Sequence, residues 1–106
     1  MTERTLQILL ALADGPLHGY GIKRAVEDRT DGTVRLGAGT LYEAIQRLVV
    51  EGRIREVGAP ADAETSSGPP RRFYDLTDTG REALRDELRR LRDIVHYAEA
   101  RALLQS

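Results

Sequence analysis

The sequence predicts a mainly α-helical chain with one two-stranded β-wing and a long C-terminal helix, and three observations carry that reading. Apolar residues recur at helical spacing in four separate stretches. Between the third and the fourth, a short run alternates polar and apolar, as a half-exposed strand does, and a matching run lies downstream. The last apolar stripe repeats every 3.5 residues, the period of a helix that packs lengthwise on another helix.

The bulk properties bound what such a chain can be. At 106 residues it fits one domain with a modest core. The balance of 41% hydrophobic and 31% charged residues is that of a soluble globular protein. With no cysteine, a disulfide framework and a thiolate zinc site are both excluded. No apolar run approaches the roughly 20 residues a membrane helix needs. Met1-Thr2-Glu3-Arg4 has no basic region leading into an apolar stretch, so the expected compartment is the cytoplasm. The net charge is −1, and Lys23 is the one lysine among 16 basic residues. A nucleic-acid partner therefore requires the arginines to cluster on one face.

The first helix is expected from about Glu3 to Ala13. Leu6, Ile8, Leu9, Leu10 and Leu12 leave it almost no polar side, so it is buried on more than one side, one of them expected against a partner subunit. Gly15-Pro16 breaks it. A second helix runs from His18-Gly19 to about Asp28, with Ile22, Ala25 and Val26 inward and Lys23 and Arg24 outward; Tyr20 is expected in the core. Val34 and Leu36 suggest a short extended piece. Gly37-Ala38-Gly39 leads into a third helix ending near Glu51, with Leu41, Ile45, Leu48 and Val49 as its buried stripe. Gly52 suits the left-handed residue that closes such a helix. The opposite side presents Thr40, Tyr42, Glu43, Gln46 and Arg47.

Arg53 to Val57 and Arg71 to Leu76 read as the two strands of the wing. Between them, 58–70 carries no large apolar residue and is expected to be a mobile tip. Thr77 is the expected N-cap of the last helix, with Asp78 in its first turn. Leu84, Leu88, Leu91, Val95, Ala98 and Ala102 are spaced 4-3-4-3-4 along it, toward Leu104. Such a seam needs another helix, and a second copy of the chain is the simplest source. The order is thus a winged helix-turn-helix over 1–76 followed by a dimerisation helix over 77–106. The expected interface is Leu6, Leu10, Leu84, Leu88, Leu91, Val95 and Ala98.

Three stretches together resemble the PadR family of bacterial transcriptional regulators. They are Gly15-Pro16-Leu17-His18-Gly19-Tyr20-Gly21-Ile22, the run from Gly39-Thr40-Leu41-Tyr42 through Arg47-Leu48 to Glu51-Gly52, and Arg71-Arg72-Phe73-Tyr74-Asp75-Leu76-Thr77-Asp78-Thr79-Gly80. The single C-terminal helix resembles the family's small subclass. Where the family often has Ser-Pro, this chain has Gly37-Ala38, which removes a capping hydroxyl. The resemblance implies a homodimer on a near-palindromic operator near a promoter, a repressor in several members, released in some by a small aromatic ligand.

In that frame the candidate DNA contacts are His18, Gly39, Thr40, Tyr42, Gln46, Arg47, Arg71 and Arg72. Residues near the start of a recognition helix meet base edges. Gln46 suits adenine and Arg47 guanine, while helix starts such as that at His18 favour phosphate. Read from the residues alone, the same face is also compatible with a solvated surface. His96 and Tyr97, beside the seam, either line an effector pocket or pack at its rim. No cofactor and no metal site are expected, because His18 and His96 lie in different elements and neither has ligand spacing. Without a phosphate loop or nucleophile elbow an enzyme is not expected. Two other readings stay open at this stage: a winged-helix protein-interaction module that binds no DNA, and a multidrug-binding helical dimer.

Overall fold

The computed structural model describes residues 1–61 and 71–104. Helix α1 (Glu3–Ala11) is capped by Thr2, whose hydroxyl accepts the Thr5 N–H, and runs into a 3₁₀ turn at Leu12–Asp14. There follow β1 (Leu17–His18), α2 (Gly19–Arg29), α3 (Ala38–Val50), β2 (Ile54–Val57), β3 (Phe73–Leu76) and α4 (Asp78–Ala100). The molecule measures 55 × 28 × 26 Å, its long axis drawn out by the 23-residue α4. Among the described residues no helix is long and apolar enough to cross a membrane.

Helix α1 sits at the centre. Its Ile8 and Leu9, with Leu12 just beyond, are fully buried, together with Ile22 and Val26 of α2. Leu41, Ile45 and Leu48 of α3 close the same core, as their helical spacing requires. The first half of α4 covers the remaining side of α1 through Leu84. Buried apolar area of this kind contributes roughly 25 cal/mol per Å².

The wing is larger than expected. β3 pairs antiparallel with β2, as the expected hairpin requires, with Ile54 opposite Leu76 and Val57 opposite Phe73, but it also pairs with β1. The sheet among the described residues therefore has three strands, in the order β1-β3-β2. A two-residue strand has no alternation to reveal it; it forms because β3 would otherwise present an open edge. The extended piece expected at Val34–Leu36 is no strand. The Val34 N–H donates to the Thr30 hydroxyl, and Leu36 is a buried anchor of the loop. Of the tip expected over 58–70, positions 62–70 lie outside the described residues.

The interface expectation divides in two. Leu6 and Leu84 belong to the chain's own core, only 7% and 4% exposed, so neither offers much surface to a partner. The reason is geometric: the second apolar side of α1 meets α4 of the same chain. Leu10 and Leu91 are half-buried against that core. Leu88 and Val95 are exposed and Ala98 half-exposed, on the half of α4 that runs past the domain. Ile94, absent from the expected seam, is exposed there as well.

Helix ends follow their local chemistry. α3 closes in a Schellman motif: the Arg53 N–H donates to Leu48 O at 2.9 Å and the Gly52 N–H to Val49 O at 3.0 Å. Gly52 holds φ +74°, which a side chain resists. α4 ends at Ala100, short of the expected Leu104, where Arg101 caps it and Ala102 turns left-handed.

Gly52→Ala is expected to destabilise the fold by about 1–2 kcal/mol, the cost of forcing a Cβ into left-handed backbone. A urea midpoint equal to that of the parent chain would contradict this account of the α3 terminus.

Candidate nucleic-acid interface

His18 stands where three elements meet. Its backbone is extended, as an N-cap needs, and its Nδ1 accepts the Gly21 N–H at 2.9 Å, closing the first turn of α2. The other ring nitrogen, Nε2, lies 2.9 Å from Nη1 of Arg71, at the foot of the wing. The ring meets Phe73 edge-on at 5.3 Å and lies parallel to Tyr20 at 6.4 Å. Burial, followed by the charge of Arg71, lowers the His18 pKa below its ordinary value, so the neutral ring is favoured.

A neutral imidazole has a single in-plane lone pair. Two donors contest it, the Gly21 N–H at Nδ1 and the Arg71 guanidinium at Nε2, so in either tautomer one of them meets a protonated ring nitrogen. The neutral ring cannot satisfy both at once. The contact lies at the start of α2, where helix amides favour an anion.

Helix α3 lies alongside, with the start of α2 packed on it at Gly19 and Ile45. Gly37 caps it without a side-chain bond, leaving its first amides free of that partner. Gly39, Tyr42 and Arg47 are exposed, while Thr40 and Gln46 are half-exposed. Burial, aided by Glu56, pushes the phenol of Tyr74 on β3 up, and Arg72 opposes them. The Tyr42 phenol adds the smallest of the influences on Tyr74. Arg72 also lies 4.0 Å from Glu56 across the hairpin, both half-solvated or more, so the pair is a loose one. The start of α2, the outer side of α3 and the foot of the wing therefore form one face.

Tyr20 belongs to that face, contrary to its expected place in the core. It is 58% exposed, close to the 60% of Tyr42, with the Arg24 guanidinium 6.0 Å from its ring. The helical register alone carried the correction: Tyr20 lies two residues before Ile22, on the side away from the buried stripe. Arg71 and Arg72 precede β3 rather than lying within it, and they diverge, one toward His18 and the other toward Glu56. His96 and Tyr97 are far from this face, on the free half of α4. His96 Nδ1 is 3.7 Å from Glu99, and the Arg101 guanidinium stacks 3.3 Å over Tyr97. Among the described residues no group of three or more potential ligands could hold a metal ion.

Three helices carrying a small sheet, with α2 and α3 as the helix-turn-helix, make this a winged-helix protein. The family profile described as transcriptional regulator PadR-like matches residues 8–86, and the chain belongs to that family. The family consists of regulators, not enzymes. A 37.1 kDa uncharacterised protein of transposon TN4556 from Streptomyces fradiae is 41% identical over 85 residues, 80% of this chain. The chain spans only 22% of that protein's length. The structure is similar to Bacillus subtilis PadR in complex with operator DNA, with TM-score 0.70 and 25% identity over 83% of this chain and 47% of that one. It is also similar to a PadR family transcription regulator from Clostridium difficile, with TM-score 0.71 and 25% identity, covering 91% and 94% of the two chains.

Because the folded-state pKa of His18 is depressed, its contribution to stability is present above the ordinary histidine value and is lost as pH falls through the lowered one. Between pH 7 and 5 the parent chain should therefore lose more thermal stability than His18→Asn, which caps through an amide oxygen in place of Nδ1 and does not titrate. Identical pH profiles for the two would remove His18 from this linkage.

Proposed function

We propose that this chain is a sequence-specific DNA-binding transcriptional regulator, a repressor acting as a homodimer on a near-palindromic operator. The observation that carries it is the meeting of His18 with Arg71, where the start of α2 joins the wing beside the exposed side of α3. Family membership and the likeness to Bacillus subtilis PadR, whose structure holds operator DNA, support the same reading. With a net charge of −1 the chain has no general attraction for phosphate, so binding rests on these local groups.

Each residue has a role in that reading. α3 enters the major groove, with Gly39 allowing close backbone approach and Thr40 and Tyr42 on the phosphates. Gln46 reads adenine and Arg47 reads guanine through paired hydrogen bonds. A phosphate at the start of α2 accepts from Arg71, which leaves the His18 ring free to cap α2 through Nδ1 and to donate from Nε2. Arg72 exchanges its loose carboxylate partner for a neighbouring phosphate. Residues 1–76 form the DNA-binding domain, and the exposed half of α4 pairs with its copy through Leu88, Val95 and Ala98. A regulator of this kind works where the chromosome is, in the cytoplasm. A flat aromatic effector would lie between the paired helices, where His96 and Tyr97 are its candidate contacts.

Fluorescence anisotropy against the DNA upstream of the protein's own gene, with a shuffled control and two salt concentrations, tests the proposal. Specific binding should weaken steeply with salt as counterions are released. Arg47→Ala should cost about 1–3 kcal/mol and relax preference at one base, whereas Arg71→Ala should weaken all sequences alike and reduce the salt slope by about 1. Salt-insensitive binding, or no preference for any promoter in a genomic pull-down, would overturn the regulator reading. Leu88→Asp combined with Val95→Asp should sediment as a monomer; a persistent dimer would move the interface elsewhere.

A further inference from the structure

No linker separates the winged helix from α4. β3 ends at Leu76, Thr77 is the cap, and α4 begins at Asp78. The joint is made of backbone. The Thr77 N–H donates to Arg53 O at 3.1 Å, and the Thr77 hydroxyl donates to Gly52 O. The same hydroxyl oxygen accepts the Gly80 N–H at 3.0 Å, capping α4. Gly52 and Arg53 are the two residues whose N–H groups close α3 on Val49 O and Leu48 O. The last turn of α3 and the first turn of α4 thus share one short hydrogen-bonded chain.

Gly80 completes this joint by what it lacks. It is buried, and a Cβ there would stand 1.8 Å from Arg53 O and 2.7 Å from Arg53 C. The obstruction is backbone fixed in the α3 closure, which cannot rotate aside as a side chain would. Any residue other than glycine must therefore push α4 off the α3–β2 turn. The next anchor along α4 is Leu84 in the core, about 6 Å further along the axis, and Ala100 lies about 24 Å beyond that. A displacement of about 1 Å at the joint becomes about 4 Å at the free end of the helix.

We propose that Gly80 and Thr77 are positioning residues that fix α3 to α4 as one body, so that the pairing of α4 with its copy sets the separation of the two recognition helices. The inference rests on the homodimer reading given above. Operator half-site spacing is then written into the joint, not into the residues that touch bases, because half-site separation is a geometric property of the dimer.

The absence of native cysteine allows a direct test. Val50, at the end of α3, is 86% exposed, so Val50→Cys carries a spin label with little disturbance. In a homodimer this single label gives one distance, between the two α3 helices, by pulsed electron–electron resonance. The labelled parent joint should give one narrow distribution. Adding Gly80→Ala should shift its centre by several ångström, and adding Thr77→Val should at least double its width. Thr77→Ser, which keeps the hydroxyl, should restore the narrow distribution. Circular dichroism identifies folded variants, and if Gly80→Ala does not fold, the Thr77 pair decides. Folded dimers with an unchanged distribution, even with lowered melting temperature, would show a purely structural role and overturn the proposal. No dipolar signal, together with a monomer by sedimentation, would instead sink the homodimer reading and this inference with it.

Discussion

The arrangement depends on α1 having two apolar sides and the chain having one core. Ile8, Leu9 and Leu12 cannot reach water on any side, so α2 must cover α1 from one direction and α4 from another. That requirement fixes which half of α4 is spent inside the protomer. Leu84 and the half-buried Leu91 lie against the domain, and everything beyond them stands free. The helix-turn-helix is held by the same packing, since Ile22, Val26 and Ile45 share the core with α1. The proposed binding face is therefore a by-product of burial: once the apolar stripes of α2 and α3 turn inward, their polar sides turn outward together.

Most of this was legible in the sequence because it is periodic. The stripes of α2, α3 and α4, the cap at Thr77 and the closing Gly52 all have local signatures, and each lies where those signatures predict. What was not legible is tertiary. β1 is two residues long and exists only because β3 offers an edge. The heptad in α4 reads as a uniform seam, yet it serves two partners, because no spacing rule distinguishes a leucine that meets α1 from one that meets solvent. Leu84 was assigned to the partner interface for that reason, and Leu6 because one apolar side of α1 was expected against a second subunit. In the candidate face, the recognition-helix residues followed from the register, whereas the meeting of His18 with Arg71 joins positions 53 residues apart and needs the sheet to be built first. Tyr20 was misplaced because aromatic residues in small domains are usually buried, and the register outweighs that tendency here.

The electrostatics have the same local character. Two arginines of α4 are matched by carboxylates one turn away, Arg90 on Glu87 at 2.7 Å and Arg89 on Asp86 at 3.4 Å. Hydrogen bonds from Arg90 hold the Glu87 carboxyl below its ordinary range. These charges cancel within about one turn and contribute little field at a distance. At the start of α2 the balance differs, because the Gly21 N–H and the Arg71 guanidinium compete for the one lone pair of a neutral His18 ring. A chain with no overall basic character thus keeps a localised demand for negative charge.

The free half of α4 has one further consequence. From Leu88 to Ala100 the helix covers only about the length at which isolated helices in water are marginal, and little of it rests on the domain. In the proposed dimer, the free energy that holds this segment helical comes from its copy, so helix formation and association are one equilibrium governed by mass action. Helix content then becomes a function of how much protein the cell contains. A freshly made chain at low abundance would carry a fraying tail exposed to proteases, and would survive by finding a partner. Turnover and assembly would draw on the same short stretch of sequence, giving the cell a floor on concentration below which the regulator does not persist.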